Sequence, residues 1–187
     1  MDSIKIGYWI ERLDEATKQC VKAFGRLTPE ELNWKPTPEQ WCVGQCIDHI
    51  IKTNETYFPI FRSMLTGSYQ ATFIQKIPFL PDFFGNMLLK SIENSNNKQK
   101  TFPVFEPSSA IISSDIVKDF INHQDQLKTL VENTQHLNHN GLILSSPANK
   151  YITYSLASAL DIIVAHEFRH LAQAKRVAAL EQIKNAA

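Results

Sequence analysis

Apolar residues recur at three- and four-residue steps along four long stretches of this chain, and no strand-like alternation competes with them. In the first stretch, residues 4–26, Ile6, Trp9, Ile10, Leu13, Cys20 and Phe24 fall on one side, continued by Leu27. Residues 27–40 form a connector punctuated by Pro29, Pro36 and Pro38, in which Thr28-Pro29-Glu30-Glu31 reads as a capped helical turn. A second helix is expected over 41–65, with Pro59 kinking or breaking it and Gly67 as its stop. Residues 68–109 are the least regular: they hold Pro78, Pro81, Pro103, Pro107 and a polar tract at 94–100, with one short helix expected over 82–92. The third long helix is expected over 113–136, capped by Ser113 or Ser114, with Ile116, Phe120, Ile121, Leu127, Leu130 and Val131 as its stripe. A polar loop, 138–148, precedes the fourth helix, 153–180. With no internal repeat and no composition break, the pattern predicts one all-α domain over 1–187. Its architecture is a four-helix bundle with a long irregular crossover between helices two and three.

Charge narrows the function classes. The 187 residues carry 19 basic and 19 acidic side chains, so no basic footprint for nucleic acid or for a membrane surface is present. No apolar run approaches the ~18 residues that span a bilayer, and Met1 to Tyr8 lacks the form of a secretory signal. Three cysteines, Cys20, Cys42 and Cys46, form no disulfide framework, which points to a reducing cytoplasm.

The chemistry concentrates in His166-Glu167-Phe168-Arg169-His170. On a helix the two histidines lie one turn apart, about 40° from each other in projection. They share a side with Ala159, Ile162, Ile163, Gln173, Val177 and Leu180, away from Asp161, Phe168 and Lys175. Two inward imidazoles each need a buried partner, and one shared metal ion satisfies both. Of the other histidines, His136 and His139 read as surface residues near a helix end, and His123, among Asn122, Gln124 and Asp125, as solvated. His49 differs. It lies on neither the solvent face of its helix (Asp48, Glu55, Arg62) nor the buried one (Ile47, Ile51, Phe58, Phe61, Leu65), but on an uncharged polar stripe with Cys42, Gln45, Cys46, Thr53 and Thr56. Brought to His166 and His170, it completes three nitrogen ligands with an open position, a catalytic zinc-type arrangement. Cys42 and Cys46 read as small apolar fillers, against a Cys2His site within one helix.

Trp41-Cys-Val-Gly-Gln-Cys-Ile-Asp-His49, followed by His166-x-x-x-His170-x-x-Gln173, resembles the DinB-like superfamily, and Leu27-Thr-Pro-Glu-Glu-Leu-Asn-Trp-Lys-Pro36 resembles its linker between helices one and two. The resemblance implies a four-helix bundle, commonly a homodimer, with His49, His166 and His170 binding zinc or nickel. It further implies a thiol-dependent transferase or isomerase, using bacillithiol, mycothiol or glutathione, or a metal-dependent hydrolase. Cys42 and Cys46 stand where small or acidic residues are commoner in the family.

Three readings follow. In the first, the metal binds a thiol cosubstrate or lowers the pKa of a bound water to ~7. Glu167 then acts as general base or as a partner of the ligands, and Gln173 and Arg169 hold a small-molecule substrate. The second is an H-E-x-x-H zinc protease. Against it, Glu181 is the only acid after His170, Gln173 and Arg176 occupy the Gly and His positions of the metzincin extension, and no strand precedes the motif. The third is a non-catalytic, stress-related metal-binding bundle.

Overall fold

The computed structural model describes residues 2–94, 101–108 and 110–186. Its helices are α1 (Asp2–Phe24), α2 (Pro29–Asn33), α3 (Val43–Glu55), α4 (Phe58–Leu65), α5 (Leu80–Glu93), α6 (Ile116–Asn133) and α7 (Leu156–Ala186). Helix α2 is the expected capped turn: Thr28 Oγ1 accepts from Glu31 N–H, and the Glu31 carboxylate accepts from Thr28 N–H. The second long stretch divides at Thr56–Tyr57. Pro59 lies in the first turn of α4, where its missing N–H costs nothing, and Gly67, at φ +70°, ends that helix.

Two departures concern the segment before α7. Residues 143–155 form an antiparallel hairpin, β1 (Ile143–Ser146) and β2 (Asn149–Ser155), where a polar loop and the start of a helix are expected from pattern alone. Leu144 opposite Tyr154 forms its buried pair, and the Tyr154 hydroxyl meets that of Tyr57 at 2.8 Å. Helix α7 therefore starts at Leu156, with Ser155 Oγ accepting from Ser158 N–H. Helix α6 likewise starts later than expected, with Asp115 preceding it and no side-chain cap.

Helix α1 packs on α6 and α7, and α3 packs on the same two. The core they enclose is layered. One apolar cluster holds Trp9, Leu13, Phe61, Leu127 and Ile163; the other holds Ala16, Cys20, Ile50, Phe120 and Leu171. Between them, on α3, α6 and α7, lies a polar layer: Thr53, Asn54, His123, Gln124 and Glu167, all buried. His123 is thus a core residue, stacked on Phe58 with ring planes 2° apart, and burial pushes its pKa down to about 4. His139 is buried too, bonded to Thr134 Oγ1 and set against Trp9; His136 is exposed, as expected. Among the described residues, no helix is long and apolar enough to cross a membrane.

Candidate metal centre

The site begins with the start of α3. Cys42 caps that helix: its Sγ accepts from Gln45 N–H at 3.3 Å, and the Gln45 side chain accepts from Cys42 N–H. With the helix start fixed, the Gln45 amide donates to the Ser108 carbonyl, and Asp48 accepts from Ser108 N–H at 2.7 Å. Farther along, the Asn33 side chain pairs with both backbone groups of Ile112, whose side chain lies against Gly44. The end of the long crossover is thereby laid along α3. It brings the Phe105 carbonyl to His49 Nδ1. A carbonyl only accepts, so Nδ1 carries the proton and His49 Nε2 keeps its lone pair.

Helix α7 supplies the other two imidazoles. His170 Nδ1 donates to Gln173 Oε1 at 3.0 Å, which leaves its Nε2 bare as well. His166 Nε2 lies 3.1 Å from His49 Nε2. One potential ligand atom from each of His49, His166 and His170 lies within 4.8 Å of the others. His49 and His170 are buried; His166 is partly covered, its Nδ1 completely so.

This donor set fits a divalent cation. Burial lowers the pKa of all three rings, His170 to about 3, with His49 adding to the effect on His166 and His170. Neutral imidazoles are what a metal needs. Without an ion, His166 either turns a lone pair on that of His49 or donates to it and leaves a bare, buried Nδ1. Among the described residues nothing bonds that Nδ1. A cation shared by the three rings removes the lone-pair clash and leaves His166 Nδ1 as the one group to satisfy.

A family profile of the DinB superfamily matches residues 12–174. The chain belongs to the DinB superfamily. Among curated proteins, the uncharacterized protein YuaE of Bacillus subtilis (strain 168) is 27% identical over 165 residues, which covers 88% of this chain and 93% of that one. No solved structure matches. Membership and the histidine cluster are together compatible with metal binding.

Other residues of the site motifs are placed differently by the fold. Gln173 holds His170, as described. Glu167 is fully buried in the polar layer: its Oε1 accepts from Asn54 Nδ2 and Gln124 Nε2, each at 2.7 Å. No described hydrogen bond joins it to a histidine. Burial raises its pKa to about 7 against the pull of the two amides. Arg169 points to the end of α5, donating to the carbonyls of Ser91 and Ile92. Cys42 and Cys46 are buried thiols, and burial raises both pKa values.

Trp41 is a member of the site that helical periodicity does not announce. Its ring lies 4.8 Å from His49 and 5.9 Å from His170. Together with Lys35, Glu39, Gln45, Glu106 and Pro107 it also lines a cavity of about 300 Å³. Its place at the head of the Trp41-to-His49 motif is the one sequence signal for this role.

Proposed function

We propose that this chain is a single-domain four-helix bundle whose His49, His166 and His170 hold a divalent ion, zinc or nickel. On this reading it is a metal-dependent enzyme, a thiol-dependent S-transferase or a hydrolase, acting on a small molecule. The observation that carries the reading is the convergence of three neutral imidazoles, two of them with protons committed to Phe105 O and Gln173 Oε1. A divalent ion held there supplies Lewis acidity that lowers the pKa of a bound water or thiol.

The chain's own residues set the rest. Phe105 and Gln173 fix two tautomers and ring orientations, a role whose loss typically weakens metal affinity 10- to 100-fold. Three protein ligands, rather than the four of a structural site, leave a position for a small molecule. Trp41 covers one side of the cluster and joins it to the neighbouring cavity, where Lys35, Glu39 and Glu106 offer charges of both signs to a polar substrate. The protease reading loses its general base, since Glu167 is bound to Asn54 and Gln124 within the core. A homodimer is the state that goes with family resemblance, and a reducing cytoplasm is the setting that goes with three free cysteines.

The test is turnover. Metal-loaded protein would be assayed with 1-chloro-2,4-dinitrobenzene and a panel of low-molecular-weight thiols, and with p-nitrophenyl esters. The expected result is a turnover that EDTA abolishes, added metal restores and His170→Ala lacks. Metal-loaded protein inert toward every pair would leave the non-catalytic, metal-binding reading.

A further inference from the structure

Helix α7 has a second built face. Viewed down its axis, Phe168, Arg169, Ala172 and Arg176 lie roughly 80° to 180° from the centre of the His166–His170 stripe. There, with Tyr8 and Arg12 of α1 and the last turns of α5, they line a cavity of about 640 Å³. That volume is in the range of small-molecule sites, about 300–1,000 Å³. None of the three histidines lines it.

The lining pairs apolar surface with cationic groups. Leu89, Val164 and the Phe168 ring make an apolar wall, and Ala172, small and exposed, leaves room above the helix. The Arg12 guanidinium sits 4.1 Å over the Phe168 ring. Arg169 spends donors on the α5 carbonyls. Arg12 and Arg176 make no hydrogen bond or salt bridge among the described residues, although two carboxylates, Asp161 and Glu93, share the lining. Asp161 accepts from Trp9 Nε1 at 2.7 Å. Two guanidinium forks thus face one cavity with their hydrogen-bonding capacity unused, and such forks match carboxylate, phosphate and sulfonate geometry.

We propose that this cavity between α1, α5 and α7 is a second ligand site, for an organic anion whose flat apolar body lies against the wall of Leu89, Val164 and Phe168 and whose acidic group is held by Arg12 and Arg176. It stands independently of the histidine cluster.

The test uses 1-anilinonaphthalene-8-sulfonate with the folded full-length chain, and N-phenyl-1-naphthylamine as the same body without the sulfonate. The expected result is one saturable, blue-shifted sulfonate site per chain, with the neutral dye at least tenfold weaker. Arg176→Ala removes a fork from an exposed position, and Ala172→Leu fills the cavity with a good helix former. Each weakens the sulfonate at least tenfold, with an unchanged far-UV circular dichroism spectrum to show that the fold is kept. EDTA-treated and zinc-loaded protein bind the probe alike. The assignment is overturned if no saturable site exists, if either variant binds as the parent does, if the neutral dye binds as tightly, or if zinc loading displaces the probe.

Discussion

Replacing Glu167 by Gln tests the buried polar layer that Glu167 forms with Asn54 and Gln124. Glu167 is completely buried and burial raises its carboxyl from the usual 4.5 to about 7. At about 1.4 kcal/mol per pH unit, holding the charged form costs the folded chain about 3 kcal/mol. The group is buried throughout, so solvent screening does not reduce the figure. The sign is set by linkage: between pH 4.5 and 7 the folded chain binds more protons at this site than the unfolded chain, so its contribution to stability falls as pH rises through that window and is level above 7. Glutamine keeps an oxygen for Asn54 and Gln124 and cannot ionise. The buried histidines, with lowered pKa values, contribute the opposite slope, but they are present in both proteins and largely cancel in the difference. Urea denaturation in EDTA, from pH 4.5 to 8, reads the free energies. The variant's stability relative to the parent should rise by about 3 kcal/mol across this range, whatever the offset at pH 4.5. Parallel curves, or a variant that loses ground as pH rises, would refute a core Glu167 whose pKa burial has raised.

Gln173→Ala strips the acceptor from His170 Nδ1 and should weaken zinc affinity about 10- to 100-fold in a chelator competition, with the fold unchanged by circular dichroism. Gly44→Ala puts a methyl 2.8 Å from Ile112 Cγ2; the crossover end must shift, costing about 1–3 kcal/mol in thermal unfolding. Tyr57→Phe takes one of two partners from the buried Tyr154 hydroxyl, which keeps Ser146, and should cost about 0.5–1.5 kcal/mol, read by urea titration.

The long helices were legible because a 3.6-residue apolar period is a local property, and Pro59 and Gly67 mark their breaks by backbone chemistry alone. His49 was legible as a site residue because it fits neither face of α3. The hairpin was hidden by its junction: β2 runs into α7 with no intervening loop, so Thr153 to Ser155 read as helix, although the aromatic and β-branched run Tyr151-Ile152-Thr153-Tyr154 carries a strand signal. His123 was misplaced by binary patterning, which sends polar residues outward. Here several helices each contribute polar residues to one buried layer, and that layer becomes visible only when the helices are docked. The Phe105 carbonyl has no side-chain signature at all. Its role comes from the crossover being tied to α3 through Gln45 and Asp48.

Metal content bears most directly on the central claim. Purified protein and the His49→Ala/His166→Ala/His170→Ala variant would be reconstituted with zinc or nickel, desalted and measured by elemental analysis. The account predicts close to one ion per chain in the parent and none in the variant. A parent without metal after reconstitution, or a variant that retains it, would contradict a three-histidine metal centre.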